Sequence, residues 1–255
     1  MNAFFRSFRA ERIKWRRDWT LLAACLVPLT QVVLLLVIVW FSGDRVRILD
    51  TGFIAWYKIN FIGWNLVFMP ILTALASSLA WELEEKSRGW NHLMALPVSR
   101  GMHFLVKWAG LISLCLGSLL VLTLLLVCGG LILKLNVEDL TMGPLEFTLL
   151  LRFLGYSVVA MLPVASLHAW FPSRFPNLGS SLGMALCGSW LTFQLADMRR
   201  FICLSPWGLA SQITNLSIRA QLPSWGMYGI TLINALLLGM LGMLDFRRRD
   251  EIMNR

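Results

Sequence analysis

Residues 108–133 read WAGLISLCLGSLLVLTLLLVCGGLIL and carry no charged side chain. At about 1.5 Å per residue such a stretch makes a helix roughly 39 Å long, longer than a hydrocarbon core about 30 Å thick. A helix packed on a water-soluble core keeps a polar stripe at the 3.6-residue period, and this one has none. The same reading holds outward along the chain. Stretches 19–41, 59–81, 178–196 and 225–244 are also uncharged, and the one ionisable residue in 153–171 is His168. The expectation is an all-α polytopic membrane protein with six transmembrane helices. Trp19 and Trp40 bracket the first span and Trp64 and Trp81 the second, where indole rings favour the headgroup level.

Composition agrees. Of 255 residues, 57% are hydrophobic and 15% charged, with a mean hydropathy of +0.67, against about 25% charged in ordinary soluble domains. The net charge of +9 then bears on orientation rather than on nucleic acid, which is not expected as a partner. With six spans and both termini cytoplasmic, 15 Lys and Arg fall inside and 8 outside. Making 201–218 a seventh span leaves 12 against 11 and erases the bias. That stretch holds Ser205, Pro206, Ser211, Gln212, Thr214, Asn215 and Ser217, so it reads as a re-entrant or interfacial extracytoplasmic segment, tolerable only where protein covers it. The five cysteines show no CxxC spacing and no disulfide framework.

Residues 1–18 read as a basic interfacial helix, with Phe4, Phe8 and Trp15 on one side and arginines over much of the rest. Such a helix lies among anionic lipid heads. The apolar stretch behind it is too long for a signal h-region, and no cleavage site follows.

Chemistry-bearing motifs are sparse. No Walker A pattern and no metal-ligand spacing occur, so no catalytic residue, metal or cofactor is expected on this chain. His92 and His103 fall in the loop region between the second and third spans, and His168, three residues from Phe171, is expected to reach the interface. Glu84-Glu85 resembles the E-E-x-x-x-R signature of intramembrane CAAX-type proteases, but the arginine falls one residue early, at Arg88, with Gly89 in its place. That reading is set aside.

The most informative segment is the connection at 82–98. Leu83, Trp90, Leu93 and Met94 recur at i, i+7, i+10 and i+11, an amphipathic helical stripe. Glu82, Glu84 and Glu85 crowd its expected N-terminal end, where the helix dipole favours anions, and Glu84 is spaced to pair with Arg88. Pro97 stops the helix and Arg100 starts the return to the membrane. A short helix with an apolar stripe and an acidic end suits docking to a cytosolic partner.

Six spans, a basic N-terminal helix, and Glu84-x-x-x-x-Gly89-Trp90 followed by Leu96-Pro97-Val98-Ser99-Arg100 and Lys107 resemble the permease subunit of type-2 ABC exporters, and within these the permeases of lantibiotic or bacitracin immunity systems. Asn91 departs from the basic residue that members often carry after the Trp. The resemblance implies a half-transporter in a bacterial inner membrane. Two permeases, identical or homologous, would each dock a separate cytosolic ATPase, two copies in all, which holds the ATP and Mg. The coupling element would comprise Glu82, Glu84, Glu85, Arg88, Gly89, Trp90, Leu93, Met94, Pro97 and Arg100. It further implies that 201–218 dips into the outer leaflet and that a permease–permease contact lies near the first and fifth spans. Gly179-x-x-x-Gly183 with Cys187 offers small residues for close helix approach there, or for packing within the chain. The substrate expected is amphiphilic, a peptide antibiotic such as a lantibiotic or a lipid-linked compound. A secondary transporter would need intramembrane carboxylates or inverted repeats, and neither is visible. A non-transport mechanotransmission or scaffold subunit would need more docking surface than the short outer loops provide. Pro28, Pro70 and Pro163 fall inside spans and should kink them. Gln31, Asn65, Thr73, Ser77, Ser78 and Asn234 are expected either to line a path or to bond between helices.

Overall fold

The computed structural model describes residues 3–17, 19–41, 52–86, 99–136, 143–194, 205–208 and 225–253. Apart from a few residues at helix ends and between helices, all of these are helical. We number the helices α1 (Ala3–Arg17), α2 (Thr20–Phe41), α3 (Phe53–Gly63, continued by a π-helical stretch Trp64–Phe68 and by Met69–Lys86), α4 (Arg100–Asn136), α5 (Phe147–Arg174), α6 (Leu178–Gln194) and α7 (Trp225–Met253). Five of these, α2, α3, α4, α5 and α7, are long and apolar enough to cross a membrane. The expected fifth span is α6, which at 17 residues is about 26 Å long and sits at the short limit for a crossing.

Contacts fix the helix directions. Phe61 stacks on Phe153 at 5.4 Å and Asn65 donates to Ser157 Oγ at 2.9 Å, so α3 and α5 run parallel. Gly239 and Gly242 of α7 lie against Trp108 and Phe104 of α4, and Gly101 lies against Arg247, so α4 and α7 run antiparallel. The consequence is one end of the bundle rich in cations, among them Lys14, Lys107, Arg174 and Arg247. We refer to it as the basic end. Large apolar side chains face outward, for example Leu22, Leu26 and Val33 on α2 and Ile233, Leu236 and Leu237 on α7, as lipid requires and water would not tolerate in such number.

The core is aromatic and held by close backbone approach. An added Cβ at Gly130 would collide with the Phe53 ring, and one at Gly129 would lie 3.0 Å from Trp56. These two glycines let α3 settle onto α4, and the Trp56 indole N–H then donates to the Leu126 carbonyl at 2.9 Å. Trp64 is 1% exposed within the π-helical stretch. It is therefore not a span-edge residue, because α3 begins at Phe53, well before the expected start at 59, and places Trp64 in mid-helix. The widened turn directly precedes Pro70, which has no N–H to give the carbonyl four residues back. Pro28 and Pro163 are likewise accommodated inside α2 and α5.

The polar residues expected in the spans mostly make ordinary bonds. Gln31 donates to the Asn60 carbonyl of α3, Asn65 bonds across to α5, and Thr73, Ser77 and Ser78 return their hydroxyls to carbonyls three residues back. These bonds are what hydrocarbon surroundings demand of buried polar groups. His168 departs from expectation. It is fully buried, with its ring edge-on to Trp207 at 6.1 Å, so packing inside the bundle keeps it from the interface. Trp207 also covers Gly188 of α6, where a Cβ would stand 2.5 Å from the indole. Trp207 of the expected re-entrant segment thus packs against α5 and α6; apart from 205–208, the segment 201–218 lies outside the described residues.

Candidate functional site at the basic end of the bundle

Four charged residues from three helices meet at the basic end. Glu11 of α1, Glu84 of α3 and Lys107 of α4 are 6%, 4% and 8% exposed, and Lys14 of α1 closes the ring. Lys14 Nζ stands 3.1 Å from Glu11 Oε2 and 2.7 Å from Glu84 Oε1. Lys107 Nζ stands 3.3 Å from Glu11 Oε1 and 3.1 Å from Glu84 Oε2. Lys107 also donates to the Ala80 carbonyl at 2.8 Å and lies over the Trp81 ring, 5.1 Å from its centroid, a cation–π contact. The two acids and two bases alternate, so the cluster is neutral as a whole.

Local sequence explains the meeting. Glu11 is the lone acid of α1 and faces the bundle while Arg6, Arg9 and Arg12 are exposed. Trp15, one turn on, packs against Gly110 of α4, where a Cβ would stand 2.9 Å from the indole. Burial alone would raise the Glu11 carboxyl above its ordinary value, but the Lys107 and Lys14 ammonium groups outweigh it and hold it below. Burial would lower Lys14, and Glu11 and Glu84 outweigh that and hold it above its ordinary value. Both shifts favour the charged forms of Glu11 and Lys14.

A second tie lies nearby. Arg174 at the end of α5 makes a two-pronged ion pair with Asp245 of α7, and the Trp170 indole donates to the same carboxylate at 3.0 Å. Beside it Trp81, Phe104 and Phe246 form an aromatic triangle.

Of the residues singled out in the sequence, Glu82, Glu84, Glu85 and Arg100 fall at this end. Glu82 and Arg100 are half-buried, Glu84 is buried and Glu85 is exposed. The glutamates do not open a separate helix: α3 runs on to Lys86, so they occupy its last turns, where the dipole disfavours anions. Lys14 and Lys107 offset that cost at Glu84 and already engage both of its oxygens. Arg88, Gly89, Trp90, Leu93, Met94 and Pro97 lie outside the described residues. Gly179, Gly183 and Cys187 are exposed on α6, and a Cβ at Gly183 would meet nothing within 4 Å. Periodicity within one helix points to neither Glu11 nor Lys14 as a partner of Glu84, and marks Lys107 only as a spaced basic residue. The available signal was isolation: one acid within a run of arginines, and one lysine ahead of a long uncharged stretch.

The comparison with known families bears on the whole arrangement. A family model described as "ABC-2 family transporter protein" matches residues 7–188. The chain belongs to the ABC-2 transporter family. The match opens inside α1 and closes inside α6, and so takes in every member of the ion-pair ring. No curated protein matches this ABC-2 chain. Membership makes it a multi-pass membrane permease component of an ABC transporter, a family whose members work with an ATPase.

Proposed function

We propose that this ABC-2 protein is the permease half of a bacterial inner-membrane exporter that expels an amphiphilic substrate, either a membrane-active peptide such as a lantibiotic or a lipid-linked compound. Two permeases, identical or homologous, work with two copies of a cytosolic ATPase, which binds the ATP and Mg. The basic end faces the cytoplasm, as the positive-inside rule requires. Nothing in the chain performs covalent chemistry; its part is to convert ATPase closure into helix movement.

The observation that carries the reading is the ion-pair ring. The described chain leaves α3 at Lys86 and resumes at Ser99. Glu84, two residues before that exit, is tied at once to α1 and to α4. A push on the 82–98 connection, through Glu85, Arg88, Gly89, Trp90, Leu93, Met94 and Pro97, would therefore reach three helices together. In this reading Glu84 transmits rather than docks, and Glu82, Glu85 and Arg100 flank the contact. The exposed small face at Gly179, Gly183 and Cys187 supports a permease–permease contact, since no described side chain fills the space at Gly183.

The test is co-purification of the tagged full chain with its ATPase from native membranes, followed by ATP hydrolysis with candidate peptides present. The proposal expects Glu85→Lys together with Trp90→Ala to abolish co-purification while membrane insertion persists. Unchanged ATPase recovery with that double variant would contradict it.

A further inference from the structure

Between α1, α2 and α4 lies an open groove of about 640 Å³, lined by none of the four ring residues. Its walls are apolar or small: Phe8 and Trp15 of α1, Leu21 and Cys25 of α2, Leu114 and Gly117 of α4. The two seryl hydroxyls in its lining are turned inward, Ser113 to the Gly110 carbonyl at 2.7 Å and Ser118 to the Ala24 carbonyl at 2.7 Å. They offer a ligand little polarity. Gly117 is exposed, and a Cβ there would meet nothing within 4 Å. The groove therefore exists because α4 presents no side chain at that point.

Among the described residues one charged side chain lines it, that of the exposed Arg12. The exposed side of α1 carries Arg6 and Arg9 as well, whereas its lone acid, Glu11, is turned into the bundle and neutralised there. A ligand reaching the mouth thus meets positive charge with no exposed α1 carboxylate to oppose it. An open apolar groove forfeits dispersion contacts unless something fills it, and in a bilayer the filler at hand is an acyl chain.

We propose that the groove binds one anionic glycerophospholipid, its chain lying between α1, α2 and α4 and its phosphate on Arg12. The bound lipid would make the packing of α1 against the bundle depend on membrane composition. This rests on the membrane reading of the chain but not on the ATPase reading, and its test needs no ATPase.

The full-length protein is reconstituted into nanodiscs of equal parts phosphatidylglycerol and phosphatidylcholine, extracted gently, and weighed intact by native mass spectrometry to count retained lipid. Wild type should keep phosphatidylglycerol in preference to phosphatidylcholine. Arg12→Gln should cut that retention about fivefold, the weight of one cation at an anionic surface. Arg9→Gln, exposed on the same helix but outside the groove, should change it little. Gly117→Leu, which fills the groove, should remove tightly held lipid of either kind. Equal losses from Arg12→Gln and Arg9→Gln would reduce the effect to diffuse surface charge and overturn the proposal without calling on the Leu variant to fold. Full retention in a folded Gly117→Leu protein would overturn it too. So would a disulfide between Cys25 residues of two chains in native membranes, because a second copy would then occupy the groove.

Discussion

The two ends of the bundle hold themselves together by different means. At the basic end, Glu11, Lys14, Glu84 and Lys107 join α1, α3 and α4 through charge. At the other end, Gly129 and Gly130 receive Trp56 and Phe53, and α3 meets α4 by shape. Close packing in lipid is short-ranged and has one good register, so it rigidifies. A ring of alternating charges holds as firmly while intact, yet each member depends on the others, and losing one leaves a buried charge uncompensated. On the proposed coupling role, the basic end would be the joint that moves and the other end its fulcrum.

The hardest way to break the comparison is Lys107→Met. It leaves Lys14 as the one ring cation for both Glu11 and Glu84, with one buried negative charge in excess, and should cost about 3–5 kcal/mol, read as a lowered unfolding midpoint in nanodiscs. Adding Glu11→Gln should restore part of that loss, which a mere packing role for Lys107 would not allow.

Titration probes the same ring more gently. The Glu11 carboxyl is held below its ordinary 4.5, so its contribution is present above that value and is lost as pH falls through the lowered folded pKa. Lys14 is held above its ordinary 10.5, so its contribution is present below that value and is lost as pH rises through the raised one. The contribution of these two groups to thermal stability should therefore be flat between those limits and fall at both sides. Glu11→Gln should remove the Glu11 share of the acid-side fall.

At the shape-held end, Gly130→Ala forces a Cβ into the Phe53 ring and should cost about 1–3 kcal/mol. Gly117→Ala, in open space, should leave the unfolding midpoint unlowered. The smallest loss expected is that of Ser157→Ala. It removes one cross-helix partner of Asn65, which keeps its bond to the Phe61 carbonyl, and should cost about 0.6 kcal/mol.

The sequence made the scaffold readable because uncharged stretches of that length have few other uses: α4, α5 and α7 each contain the stretch expected of them, and α2 all of its stretch but Trp19. It misjudged the end of α3. An amphipathic stripe beginning at Leu83 invites a new helix there, but nothing at 82–85 breaks the backbone, and the long helix simply continues to Lys86. The partners of Glu84 were hidden for a related reason. Its neighbour in sequence is Arg88, whereas Lys14 and Lys107 are close only once α1 folds back along α4. Periodicity reports one helix at a time, and a charge ring belongs to three. His168 was misplaced in the same way, since its surroundings depend on Trp207, nearly forty positions on.

The central claim is that motion enters at the connection beyond Glu84 and passes to α1 and α4 through the ring. Its most direct test puts a single cysteine at the exposed position 85, in a chain whose native cysteines are replaced, and cross-links it in native membranes with and without ATP. The account predicts a cross-link to an ATPase whose yield changes with nucleotide in the intact ring and ceases to change in Lys107→Met. A chain that exports its substrate with no ATPase ever cross-linked at position 85, or whose cross-link responds to ATP equally well without Lys107, would contradict it.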